Sequence, residues 1–166
     1  MKAFLLLVSI ISSMNTAVCR FKETTVLGGD IYQETGMFYF QRERGLRWDY
    51  EEPEKKTFWL KGDRVFEFYP DENRFREYRT RENFWKILQD PSLLKEITEE
   101  IVKKNDEIFV KMKGGEEVVL EIKNRRIRKI SFEDTTIEFI RCNYGARISP
   151  SIWDIPETFS QQGRKK

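Results

Sequence analysis

Few side chains in this 166-residue sequence could do chemistry. There is no histidine, which removes the commonest general base and the commonest metal ligand together. The two cysteines, Cys19 and Cys142, form no Cys-x-x-Cys, so no zinc site is expected. Asp49, Glu51 and Glu52 gather three carboxylates, but acidic residues occur all along the chain and a solvated strand end accounts for these. No Gly-x-Ser-x-Gly, Walker loop or dinucleotide fingerprint is present. Gly28-Gly29-Asp30 is a turn, because no Lys-Ser/Thr pair or helix follows it. The expectation is a protein that is not an enzyme and uses no cofactor or metal.

Two cationic features remain. Asn124-Arg125-Arg126-Ile127-Arg128-Lys129 reads as a turn and strand start with Arg126 and Arg128 on one solvent face. Either it is a polar outer face or it docks an anionic membrane surface or acidic partner. It lacks the interleaved aromatics that stack bases. Arg42 differs, because it follows Met37-Phe38-Tyr39-Phe40, a strand apolar on both sides, and Gln41. A buried guanidinium needs partners, and its fork can reach several backbone carbonyls at once. The alternative is a strand-end arginine pointing to water.

The stretch that must position Arg42 runs from Gly36 to Pro70, three or four short aromatic-rich strands between charged turns. Leu46, Trp48 and Tyr50 alternate with Arg47 and Asp49, the period of a half-buried strand. Residues 57–60 and 65–69 flank a Lys61-Gly62-Asp63 hairpin turn, and Arg74 to Arg79 alternates again. Further strands are expected over 21–27, 108–112, 118–122, 126–132, 135–142 and 146–149, with a last short piece at Ile152-Trp153.

The period changes once. Phe84, Trp85, Ile87 and Leu88 suit a short amphipathic helix. Asp90 then reads as an N-cap and Pro91 as the first residue of a second helix, with a stripe of Leu94, Ile97 and Ile101 and with Lys103 and Lys104 at its end. The fold class expected is mainly β with a helical insert: roughly ten antiparallel strands closing, or nearly closing, into a barrel. The helices cover its open mouth or concave side.

Composition agrees with one domain. Charged residues make up 35%, yet 30 basic residues nearly balance 28 acidic ones and leave a net charge of +2. A dedicated nucleic-acid binder would show one-sided excess, so no nucleic-acid partner is expected. Aromatics reach 14%, which implies a bulky core or an apolar cavity.

Residues 1–19 read as a secretory signal: Lys2, an apolar run from Ala3 to Ile11, and small residues Ala17 and Cys19 before a cut at Arg20. The alternatives are an uncleaved membrane tail and lipidation of Cys19. Removal of 1–19 leaves Cys142 alone, with no internal disulfide. The domain expected is 20–158, followed by a disordered polar tail over 159–166.

The Gly36–Pro70 stretch resembles the bacterial outer-membrane lipoprotein carrier family, LolA. The matching residues are Gln41, Arg42, Glu43, Arg44, Gly45, Leu46, Arg47, Trp48 and Pro53, then Gly62, Val65, Phe66, Phe68, Tyr69 and Pro70, and the late strand Thr135-Thr136-Ile137-Glu138-Phe139. It departs from the family at Glu43, where the family has proline, and in a mature chain that begins almost at the first strand without the family's N-terminal helix. The resemblance implies an incomplete, half-open antiparallel β-barrel covered by a helical lid. Its cavity holds lipoprotein acyl chains in transit through the periplasm. The cavity wall would be Phe38, Phe40, Leu46, Trp48, Tyr50, Phe58, Leu60, Phe66 and Phe68. The lid would be Phe84, Trp85, Leu88, Leu94, Ile97 and Ile101, with Arg42 as its gate.

The partners so implied are lipoprotein acyl chains, an inner-membrane ABC transporter that releases lipoproteins and an outer-membrane receptor, the carrier itself being a monomer. Burial of acyl chain is worth about 0.8 kcal/mol per CH₂, enough for a loose apolar cavity to hold cargo. Two other readings stand beside this one: a lipid-anchored receptor or lipid-binding protein of the same fold, and a periplasmic sensor or interaction protein whose sheet is a filled core.

Overall fold

The computed structural model of the chain describes residues 2–80 and 83–156. It is mostly β: eleven antiparallel strands form one sheet that does not close into a barrel. The chain opens with helix α1 (Lys2–Ser12) and a long hairpin of β1 (Thr16–Leu27) and β2 (Asp30–Gln41). A meander follows through β3 (Gly45–Glu52), β4 (Lys56–Lys61), β5 (Arg64–Tyr69) and β6 (Arg74–Arg79). Helices α2 (Phe84–Gln89) and α3 (Leu93–Ile97) lead to a second meander of β7 (Thr98–Lys104), β8 (Glu107–Met112), β9 (Glu117–Lys123), β10 (Arg126–Phe132) and β11 (Thr135–Tyr144). The two meanders join where β11 pairs with β1, so the sheet order is β6-β5-β4-β3-β2-β1-β11-β10-β9-β8-β7. β6 and β7 are left as its free edges.

Two glycines let the sheet coil tightly. A Cβ at Gly36 would fall 1.9 Å from the Asp49 carbonyl oxygen, and one at Gly45, whose φ is +126°, would fall 2.2 Å from that of Leu60. Only a residue without a side chain admits these approaches.

One apolar core fills the concave side. Phe21, Phe38, Phe40, Leu46, Trp48 and Tyr50 from β1, β2 and β3 meet Ile108, Val110, Leu120, Ile130 and Ile137 from the second meander. The helices lie within this cluster: Leu7, Ile10 and Ile11 of α1, Phe84, Ile87 and Leu88 of α2, Leu94 and Ile97 of α3. Apolar spacing at i, i+3 and i+4 on α1 gives it a face that only this sheet satisfies. A smaller cluster of Trp59 and Phe66, with Phe68, Phe75 and Ile155 packed on it, lies apart from the main core.

The structure corrects several sequence expectations. The expected second helix through Lys104 stops at Ile97, and Thr98 to Lys104 is β7. Ile101 therefore pairs with Val110 in the sheet and is not a lid-helix residue. Ile101 and Val102 are β-branched and prefer a pleated partner strand to a short helix. Asp90 is the C-cap of α2, and α3 has Ser92 at its N-cap position. Residues 146–149 form no strand, and Pro150–Trp153 is a 3-10 turn. An internal disulfide does form, between Cys19 and Cys142, which face each other across β1 and β11. In the full chain Lys2–Ser12 form α1, and Arg20 lies inside β1. The tail over 159–166 lies outside the described residues.

Candidate functional site

The concave face of the sheet is the candidate site, and period-2 alternation decides which side chains reach it. On β2 these are Phe38 and Phe40, on β3 Leu46, Trp48 and Tyr50, on β4 Leu60 and the partly buried Phe58; all join the main core. Phe38 packs on Trp48, Trp85 and Phe139 with ring centroids 5.3, 6.4 and 5.1 Å apart, and Trp48 meets Trp85 edge-on at 4.9 Å. Thus Trp85 of α2 docks on the aromatic wall.

Phe66 and Phe68 were expected on this wall and are not there. The β4–β5 register sets Phe66 opposite Trp59 and Phe68 opposite Thr57. That puts them on the other face, where Phe66 joins Trp59 and Phe68 stacks on Phe75 at 4.6 Å. The C-terminal segment covers that face: the Ile152 carbonyl accepts from Trp59 Nε1 at 3.0 Å and Arg47 Nη1 at 2.7 Å. Trp153 is buried and donates to Gln41. The β5 side chains that face the core include Val65. Buried Glu67 accepts from the hydroxyls of Tyr69 and Tyr78.

Arg42 stands at the end of β2, beside the C-terminus of α1. Its Nη2 donates to the carbonyls of Ile11 at 2.6 Å and Met14 at 2.7 Å, and its Nη1 to that of Ser12 at 3.4 Å. The Ile11 carbonyl also accepts from the Met14 N–H, so Arg42 braces the end of α1 together with the turn that follows it, where a cation also suits the helix dipole. Arg125 Nη2 and Arg126 Nη1 donate to Ser9 Oγ and Ser13 Oγ of the same segment at 2.9 and 3.3 Å. Burial lowers the Arg42 pKa, opposed by the charges of Glu43 and of Asp90 in the α2–α3 connection. Its Nε is buried without a hydrogen-bond partner among the described residues. Glu43 turns to Gln41, whose Nε2 donates to it at 3.0 Å and holds its carboxyl below the usual range.

At the far end of the concave face sits a polar group that sequence reasoning missed. The Tyr50 hydroxyl donates to Glu23 at 3.0 Å. Burial raises the Glu23 carboxyl above its ordinary range, against the Tyr50 hydrogen bond. Burial and the Glu23 charge push the Tyr50 hydroxyl up. Lys56 pairs with Glu34 at 2.7 Å and lies 4.6 Å from the Tyr50 ring centroid. The i, i+2 step from Phe21 to Glu23 was the available sign that Glu23 faces inward.

Open space near this wall is modest. A cleft of about 230 Å³ is lined by Glu23, Trp48, Tyr50, Phe58, Trp85 and Ile137, among others. A groove of about 850 Å³ lies between Tyr78 and Arg79 of β6 and the Lys113–Glu116 turn, with Ile97 of α3 also in its lining. Further in, Met14, Phe38, Leu88 and Ile130 enclose an apolar void of only about 20 Å³. The volume a ligand would take on the concave face is occupied by α1 and α2. Among the described residues no cluster of His, Cys, Asp or Glu could hold a metal ion.

No protein-family model and no curated protein matches this sequence. Solved structures do resemble it. A LolA superfamily protein from Nitrosomonas europaea matches with a TM-score of 0.58 at 8% identity, over 93% of this chain and 96% of that one. A putative outer membrane lipoprotein-sorting protein domain from Vibrio parahaemolyticus matches at 0.53 and 7%, over 92% and 96%. A chain in the MucA/MucB complex of Pseudomonas aeruginosa matches at 0.56 and 11%, over 95% of this chain and 62% of that one. The fold is therefore LolA-like: an incomplete antiparallel barrel with a helical lid.

Proposed function

We propose that this protein is a periplasmic carrier, not an enzyme, that binds the acyl chains of lipoproteins on the concave face and takes them from the inner to the outer membrane. The observation that carries the reading is the occupant of that face. An apolar helix, α1, lies in the concave core beside β7 with Leu7 and Ile11 fully buried, and its end is held by side-chain hydrogen bonds from Arg42. A helix held in this way is exchangeable in a sense that a core strand is not, because α1 itself takes no part in the sheet, although removal of residues 1–19 also takes Thr16–Cys19 out of β1.

In this reading residues 1–19 direct export, and their removal, by a cut before Arg20 and opening of the Cys19–Cys142 bond, vacates the wall for acyl chains. Arg42 then loses its carbonyls on α1, and Asp90 is the charge of the remaining lid that acts on it. A few kcal/mol of hydrogen bonding suffices to bias such a gate. An inner-membrane ABC transporter would load the carrier and an outer-membrane receptor would unload it. The disulfide of the full chain fits an oxidising compartment.

The test is purification with a co-expressed lipoprotein. The expected result is a soluble complex that an acylation-deficient cargo does not form. Equal behaviour of the two cargoes overturns the proposal.

A second reading, a sensor or interaction protein with a filled core, is favoured by one observation. The concave face is already packed, and one structure of like fold is that of a protein–protein complex. Absence of dye uptake by the chain lacking 1–19 would select it.

A further inference from the structure

Of the basic run at 124–129, Arg125 and Arg126 reach the α1 segment, and the structure builds a groove around the rest. Two β-bulges lie on neighbouring strands. In β10, Ile127 pairs with Ile122 and Lys129 with Glu121, which leaves Arg128 as the extra residue. In β11, Phe139 pairs with Phe21 and Arg141 with Arg20, which leaves Ile140. Bulges re-aim side chains, and both these residues are exposed, Ile140 by 50%. Between them opens a groove of about 330 Å³, lined by Lys123, Arg126, Arg128, Phe139, Ile140 and Tyr144, among others, and with no carboxylate in its lining.

The charge of this groove is not cancelled locally. The nearby carboxylates, Glu121 and Glu138, lie 3.6 and 3.7 Å from Lys129 Nζ, which is not in the lining. Arg126 lies over the Tyr144 ring with its guanidinium carbon 4.2 Å from the centroid, so that ring face is covered. Stacking of a nucleobase there is blocked, which removes single-stranded nucleic acid as a fitting ligand. What remains is an array of cations around an exposed aliphatic side chain.

We infer that this groove is a docking site for the anionic headgroups of a lipid surface, with Lys123, Arg126 and Arg128 on phosphates and Ile140 set into the apolar layer beneath. A membrane offers both halves of that chemistry in one plane, whereas an acidic peptide leaves Ile140 without a counterpart. Ile127, Phe139 and Tyr144 of its floor also line the apolar void of the concave side, but Lys123, Arg128 and Ile140 do not, and their role stands whether or not that face carries acyl chains.

The experiment is co-sedimentation of the full chain with mixed phosphatidylcholine–phosphatidylglycerol vesicles and with pure phosphatidylcholine vesicles. Binding is expected to the mixed vesicles only and to weaken as salt is added. Lys123→Gln and Arg128→Gln are each expected to lower the partition coefficient about fivefold. Ile140→Ser is expected to lower it several-fold while leaving the salt dependence unchanged. All three side chains lie outside the main core, and a thermal melt checks that each variant folds. Equal binding to both vesicle types overturns the inference. So does an unaltered partition in the three variants. Binding to polyglutamate as tight as to vesicles, indifferent to Ile140→Ser, also overturns it and assigns the groove to an acidic polypeptide.

Discussion

Arg42 Nη2 lies 2.6 Å from the carbonyl oxygen of Ile11, the last buried residue of α1. One side chain at the end of β2 thus completes the hydrogen bonding of a helix more than two dozen residues earlier in sequence. Replacing Arg42 by Leu removes its bonds to the Ile11 and Met14 carbonyls, of which Ile11 keeps the Met14 N–H, at about 1–3 kcal/mol for the group. We expect Arg42→Leu to keep its far-UV spectrum while amide exchange over 2–15 speeds up and cargo transfer changes. Unaltered exchange and transfer would make Arg42 an ordinary strand-end residue.

The concave wall predicts a gain of binding on truncation. A chain beginning at Arg20 lacks Leu7, Ile10 and Ile11, all buried in the concave core of the full chain. Hydrophobic dye or fatty acid should bind the truncated chain clearly more tightly than the full one, as fluorescence titration would report. Equal, weak binding by both chains would point to a core that repacks and has no use for a ligand.

Glu23 supplies a dependence on pH. Its carboxyl is raised by burial, so the folded state holds the proton at pH values where the unfolded chain has already lost it. The stability this confers is complete below the unfolded value of 4.5 and is lost as pH rises through the higher folded value. Glu23→Gln keeps an acceptor for the Tyr50 hydroxyl and removes the titration. The variant should exceed the parent in stability at pH 7, and the gap should narrow toward pH 4.5 in urea unfolding. A gap that widens with falling pH would contradict the sign.

Gly36 predicts a localised packing failure. Alanine there would thrust a methyl group to within 1.9 Å of the Asp49 carbonyl oxygen, which is backbone and cannot swing aside. The loss should be about 1–3 kcal/mol or more, as expected for overpacking, and urea unfolding measures it. Alanine at Gly114, which like Gly36 has no positive φ but meets nothing within 4 Å, is the control.

Much of this architecture was legible because period-2 patterns survive in sequence. Leu46, Trp48 and Tyr50 announced their face, and Arg42 its oddity, from alternation alone. Phe66 and Phe68 misled for the same reason: both faces of that hairpin are aromatic, and only the pairing of Phe66 with Trp59 tells which aromatic set looks inward. Ile101 fitted a helical stripe, but its spacing from Ile97 is equally compatible with a strand that begins between them. Hydrophobicity made residues 3–11 look like an export signal, and the same apolar spacing lets them dock as α1. No local pattern separates those two fates, since both reward a short apolar helix.

The Cys19–Cys142 bond has a consequence for that helix. A cut before Arg20 severs the backbone, but Cys19 remains joined to Cys142 through sulfur. The nineteen-residue fragment would stay on as a tethered second chain, and only a reductant would let it go. Departure of the N-terminal segment from an oxidised molecule is thus an event with two keys, one held by a peptidase and the other by a thiol. Intact mass before and after reduction reads both at once.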